Sequence, residues 1–417
     1  MKCLASDMAL RLSGPRLRAS VLPIVMAISI VLLISLLGFM SLWEQERLHF
    51  IRTQRILQAQ ANVRSAVALY CRYPNSKQLL SADGYLLCDT MPASRVFLRR
   101  TSWGLYELLH VATEDSLGRA CILMGCEPVA SRTLYYADNR MSVILSGRTE
   151  LHGTLYLPRN GVAYGRMETA FYQGADIPRT CIRQSRAELP EMGNSIESRI
   201  DSLFVYAGVL QAPDHPVDLS KSFLGEAHVV TCINETDIAN CLMRGHIVFR
   251  GDELRIDSTS KIEHLLVVAR KIVVDSGARI TAQLFARDTV IMEARSRLEY
   301  PSGIWSEGYV ELKDQAKVNG YVVVKNKDEE LLRSSSRVCY YQARTARVRG
   351  LLRVEGFAQV QGIISGYAVL QQANYCSPRG YYKNMLYDCT LLENPITVMP
   401  VDCGVGLTYR REITRLK

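Results

Sequence analysis

The spacing of apolar residues changes along the 417-residue chain, and each change marks an element. Between Arg18 and Glu44 lie 25 residues without a charge, ASVLPIVMAISIVLLISLLGFMSLW, apolar on every side of a helix. About 20 such residues span the hydrocarbon core of a bilayer, so residues 19–43 predict a transmembrane helix. The run is longer than the apolar core of a cleaved signal peptide and has no convincing small-residue cleavage site before Trp43, so it reads as a signal anchor. Next come Ile56, Ala59, Val63, Val67 and Tyr70, three or four residues apart, the stripe of an amphipathic helix. No Gly or Pro interrupts residues 44–70. The two patterns together predict one helix from about Ser20 to Tyr70, roughly 75 Å long at about 1.5 Å per residue.

Residues 71–140 have no single period and read as a small α+β region. After them a loose repeat appears. RIDSTSKIEH (255–264), VVDSGARITA (273–282), IMEARSRLEY (291–300), ELKDQAKVNG (311–320) and RVEGFAQVQG (353–362) align on Ser260, Ala278, Ser296, Ala316 and Ala358. Each copy has a small residue at that anchor. An aliphatic residue follows two places on (Ile262, Ile280, Leu298, Val318, Val360), and an apolar one stands four places before (Ile256, Val274, Met292, Leu312, Val354). LSGRTELHG, with Leu145, Thr149 and Leu151, reads as a sixth copy. Alternation of this kind marks strands. The spacings of 18, 18, 20 and 42 residues predict a mainly β fold, a parallel β-helix of 18–20 residues per coil, the last gap holding two coils. A single coil cannot cover its own apolar face, and stacking covers it.

The expected organisation is therefore a basic leader (1–18), the transmembrane helix (19–43), its amphipathic extension (44–70), a disulfide-bearing α+β region (71–140), a β-helix (141–375) with an insert at about 165–245, and a Cys-rich cap (376–417). KNKDEELLRSSSR (325–337) reads as a charged loop. Lys2, Arg11, Arg16 and Arg18 precede the membrane run, so the positive-inside bias puts the N-terminus in the cytoplasm and the rest outside. For a bacterial inner-membrane protein that means a periplasmic or surface-exposed body.

That compartment changes how the twelve cysteines read. Cys3 falls on the cytoplasmic side, and the others include four close pairs: Cys71 with Cys88, Cys121 with Cys126, Cys232 with Cys241, and Cys376 with Cys389. An oxidising compartment makes these disulfide candidates. His228, Cys232, Cys241 and His246 form an H-x3-C-x8-C-x4-H run with ligand types suited to zinc, but its spacing matches no usual zinc pattern. The expectation is a Cys232–Cys241 bond and no metal.

Stacked coils turn sequence columns into surface ladders. One place after the anchor stand Lys261, Arg279, Arg297 and Lys317; three before it stand Asp257, Asp275, Glu293 and Lys313. The basic column suits an acidic glycan, whereas opposite charges in neighbouring columns can instead pair with each other. The net charge of +9 is spread along the chain, and no basic helix or aromatic-basic motif points to nucleic acid. No nucleophile, Walker, metalloprotease or dinucleotide motif stands in a usable context, and His152, His246 and His264 are isolated. No catalytic residue and no cofactor is expected.

RLRASVLPIVMAISIVLLISLLGFMSLWEQERLHF, a short basic leader followed by a membrane helix with an amphipathic extension, resembles type IV pilin-like and pseudopilin-like proteins. That resemblance implies self-assembly with like partners through the N-terminal helix. Prepilins carry a Gly before the cleavage point and a Glu five residues into the mature chain; here Gly14 is followed by Pro15, and the fifth residue from Ala19 is Pro23. The repeated part is similar, by its period, to bactofilin-like and other short-coil β-helix proteins. Together these imply a membrane-anchored, non-enzymatic envelope protein with a structural or adhesive role. The rival expectation is a tethered β-helix enzyme or binding protein acting on acidic polysaccharide.

Overall fold

The computed structural model describes residues 21–88, 94–128, 132–167, 170–205, 218–232, 235–326, 338–393, 398–404 and 408–416. The leader at 1–18 and most of the charged loop at 325–337 lie outside the described residues. The chain divides into two units, residues 1–61 and 62–417. Helix α1, Val21–Arg72, crosses that division without a break. In the first unit its apolar residues from Val21 to Trp43 are exposed on all sides. It is long and apolar enough to cross a membrane.

The second unit is mainly β and has three layers. The last turns of α1 form the first: Val63, Ala66, Val67 and Tyr70 recur at helical spacing and are buried against Val96, Leu98, Leu109, Val111, Ile122 and Met124. Those partners lie on one face of an antiparallel sheet built from Tyr85–Leu86, Arg95–Trp103, Tyr106–Thr113, Arg119–Pro128 and the C-terminal strand Thr408–Leu416. Side chains alternate across a strand. Tyr106, Leu108, Cys121 and Leu123 therefore face the other way, into a second core.

That second core rests on the third layer, a closed sheet whose strands pair in parallel except for Gly380–Lys383, which runs antiparallel to Gly362–Ser377. Its apolar runs stack in register. One ladder reads Val230, Phe249, Val267, Leu284, Ile304, Val322, Leu352, Ala368, Leu134, Leu155 and Ile182. Phe249 through Leu155 in this ladder are buried in a core enclosed by the sheet. Burying a Val, Leu or Ile side chain contributes about 1.5–3 kcal/mol, so no single turn of chain is stable alone and the stack is. The neighbours Val268, Phe285, Trp305 and Val323 point outward and are buried as well, under Trp103, Leu105, Tyr106 and helix α2, Ser195–Phe204. Burial on both sides explains why LLVVA and YVVV are continuously apolar instead of alternating. Gln283 pins the two sheets together: its amide donates to the Trp103 carbonyl (2.9 Å) and accepts from the Leu105 N–H (3.0 Å) and the Tyr321 hydroxyl (2.7 Å).

The mainly β class behind a long apolar helix is as expected, and four details differ. Residues 219–245 do not belong to an insert, because Leu219–Lys221, His228–Thr231 and Thr236–Ile238 already pair in parallel with the strands that follow. The tail is divided: Cys389–Leu392 extends the parallel sheet and Thr408–Leu416 edges the antiparallel one. The order in space is not the order in sequence, since Leu134–Tyr136, Glu150–Leu151 and Leu155–Leu157 stack beyond Gly362–Ser377 and Cys389–Leu392. The fifth repeat is also displaced. Val318 pairs with Val348, so the residue corresponding to Ala316 is Ala346, 30 positions on, and not Ala358. Ala358 lies in a different ladder, between Tyr340 and Ala373.

A basic cleft along the stacked strands

The small anchor residues make a corner. Cys241, Ser260, Ala278, Ser296, Ala316 and Ala346 are all buried. Five of them close a tight turn by donating the backbone N–H three residues back: Ser260 to Asp257 (3.2 Å), Ala278 to Asp275 (3.1 Å), Ser296 to Glu293 (3.1 Å), Ala316 to Lys313 (3.0 Å) and Ala346 to Ala343 (3.0 Å). In three of these turns the residue before the anchor is left-handed: Gly277 at φ 79°, Arg295 at φ 62° and Gln315 at φ 60°. That conformation is free for Gly277 and costs about 1 kcal/mol for the others.

Directly after each corner comes an outward side chain, and these stack. Arg279 pairs with Arg297, Arg297 with Lys317, and Lys317 with Arg347. Of the expected column, Arg279, Arg297 and Lys317 are thus adjacent, whereas Lys261 pairs with Leu242 and does not line the cleft that the others border. The column has one more member than expected, Arg347. At the far end Ile363 replaces the charge.

The corners and this column enclose a cleft of 660 Å³. Arg279, Arg295, Arg297, Lys317, Arg344 and Arg347 line it, together with Gly277, Gln315, Thr345 and Ile363. None of the ten is acidic. Arg344 reaches Asp388 at 3.3 Å. The other five cations make no ion pair among the described residues.

The neighbouring acidic column is used up locally. Arg255 holds Asp275 at 2.9 Å, and Lys313 holds Glu293 at 2.7 Å. Hydrogen bonds from the Thr259 hydroxyl and N–H keep the Asp257 carboxyl below its usual range. Like charges directly opposed on paired strands destabilise a sheet. Two unit charges about 4.8 Å apart repel by about 1 kcal/mol even in bulk water. The basic column thus retains a repulsion that an anion would relieve.

The disulfide expectation is overturned. Among the described residues, none of the eleven cysteines from Cys71 to Cys403 is in a disulfide. Cys121 and Cys126 lie on one strand, where five steps of about 3.3 Å exceed the reach of a disulfide. Cys232 follows His228–Thr231 and Cys241 precedes Leu242–Gly245, with Thr236–Ile238 between them; Cys241 is a corner anchor against Ser260 (3.5 Å). Cys389 pairs with Gly362 at one end of the strand on which Cys376 is near the other. Cys71 lies in the last turn of α1, next to Glu412, whereas Cys88 bonds through its backbone to Ser94. Burial pushes Cys121, Cys126, Cys339 and Cys389 up to about 12.

The four-residue H-C-C-H run does not converge either. His246 bonds the Gly225 carbonyl (2.9 Å) and packs between Trp103 and Phe223, with ring centres 4.8 and 5.0 Å away. Among the described residues no group of His, Cys, Asp and Glu could hold a metal. A second charged centre was not visible in the sequence. Buried Glu107 accepts from Arg410 through both oxygens (3.1 Å each) and from the Tyr70 hydroxyl (2.9 Å), joining α1 to the antiparallel sheet. Comparison with family models, curated proteins and solved structures finds no match.

Proposed function

We propose that this is a single-pass envelope protein of a bacterial inner membrane that holds an acidic polymer without transforming it. In this reading the N-terminus is cytoplasmic and residues 19–43 cross the membrane. The parallel sheet is a β-helix of short coils that displays the cleft outside. The observation that carries the reading is the cleft itself: six cations, five of them without a partner among the described residues, and no carboxylate. Most glycosidases hydrolyse with a pair of carboxylates flanking the scissile bond, and this cleft is lined by none. A wall of guanidinium and ammonium groups instead suits retention of carboxylate or phosphate groups, so an adhesive role fits better than an enzymatic one. The stretch of α1 from Val21 to Trp43, apolar all round, fits lipid, or packing with copies of itself as in pilin-like assemblies.

Two experiments test this. Cell fractionation should place the intact chain in the membrane, and recovery as a soluble protein would refute the anchor. The full chain in neutral detergent should be retained on immobilised polyuronate at low salt and released as salt rises. Its R279Q/R297Q/K317Q/R347Q variant should pass through. Equal retention of the variant would refute the cleft as the binding site.

A further inference from the structure

The register of the basic column says more than its charge. Arg279, Arg297, Lys317 and Arg347 are direct partners on successive strands, so one cation follows another at the strand spacing of about 4.8 Å. The column spans about 14 Å in three steps and runs across the strands, along the direction of stacking. It stops at Ile363. We infer that the cleft reads the charge spacing of its ligand: it takes an extended acidic polysaccharide with one carboxylate on every sugar, lying across the strands with one sugar per strand and four sugars in contact.

The step from strand to strand is close to the length of one sugar residue in an extended chain. Successive carboxylates project from different edges of such a chain, and the long Arg and Lys side chains reach either edge. Each strand's cation can therefore meet one carboxylate without the chain bending. A glycan charged on alternate sugars meets every second cation and leaves the repulsion between the others. Polyphosphate has the opposite mismatch, with charges closer together than the cations. Single-stranded nucleic acid is held by aromatic stacking beside its basic groove, and no aromatic residue lines this cleft. Arg295 and Gln315, raised on left-handed corners, form the wall beside the column and add a cation and an amide for carboxylates and sugar hydroxyls.

This inference rests on the proposed polyanion binding, and the test separates the two. The full chain in neutral detergent is titrated with oligogalacturonates of two to six residues, with hyaluronan oligosaccharides of matched carboxylate number, and with polyphosphate. The Kd for oligogalacturonate should fall about fivefold per added sugar up to the tetramer and then level off, since each exposed ion pair contributes at most about that factor. Matched hyaluronan oligosaccharides and polyphosphate should bind at least fivefold more weakly than the tetramer. Lys317→Gln should cost about fivefold on the tetramer. Equal affinity for all polyanions of equal charge, or steady strengthening beyond four sugars, would overturn the spacing inference while leaving polyanion binding standing. Failure of every polyanion to bind would overturn both.

Discussion

Replacing Gly350 by alanine puts a methyl carbon 1.9 Å from the Gly320 carbonyl oxygen. The position belongs to a second corner of the stack, where Ser302, Gly320, Gly350 and Gly366 are mutual partners on successive strands. Gly320, Gly350 and Gly366 have φ of 139°, 128° and 143°, a region L side chains rarely enter. The obstacle is backbone, so no side chain can swing aside. Strain of about 1–3 kcal/mol and overpacking of about 1–3 kcal/mol add to roughly 4 kcal/mol. Gly161→Ala is the control: its φ is also positive, at 66°, but a methyl there meets nothing within 4 Å. It should cost about 1 kcal/mol. At about 2.1 cal/mol/K per residue, unfolding of the 62–417 unit carries roughly 0.75 kcal/mol/K. Thermal unfolding of the full chain in detergent, followed by circular dichroism in the β region, should then fall by about 5 °C for Gly350→Ala and about 1 °C for Gly161→Ala. Equal shifts would mean that the strands do not stack through a glycine corner.

Glu107→Gln should lower stability by about 3 kcal/mol, because it breaks a buried pair and leaves Arg410 with only the more exposed Asp402, 3.7 Å away; a midpoint unchanged in the same melt would refute the pairing. Alkylation with mass readout should label the cysteines from Cys71 to Cys403 fully in denaturant without reductant; in the folded protein at pH 8, Cys121, Cys126, Cys339 and Cys389 should resist, being buried and held up to about 12. Any increase in labelling on adding reductant would count against free thiols. His110, His246 and His264 are pushed below 6.5, in each case chiefly by burial. The unfolded chain therefore takes up their protons first, and their contribution to stability is whole above pH 6.5 and is lost as the pH falls through their folded values. His110→Gln should flatten that acid slope, and an unaltered slope would refute the assignment.

The basic column was legible because strand pairing converts a sequence interval into direct adjacency: residues 279, 297 and 317 carry cations at the same offset from a small anchor. Arg347 was missed for a physical reason. The extra residues between Val318 and Val348 stretch that interval to 30, whereas the strand around Ala358 also buries Val354 and Val360 and so imitates the pattern. Cysteine spacing misled because residues close in sequence separate quickly along a strand, and because Cys241 occupies a small corner site that alanine or serine fills elsewhere. The docking of Leu134–Tyr136 beyond Gly362–Ser377 joins segments more than 200 residues apart, and nothing local in either announces it. Nor does any local signal mark the Glu107–Arg410 pair, whose partners lie on the third and last strands of the antiparallel sheet in chain order.

The most direct measurement is a crystal structure of the full chain with a bound acidic tetrasaccharide. Binding in the cleft should place the sugar chain across the strands, its carboxylates against Arg279, Arg297, Lys317 and Arg347. A tetrasaccharide bound on another face, or lying along a strand with these four side chains untouched, would contradict the cleft as the functional surface.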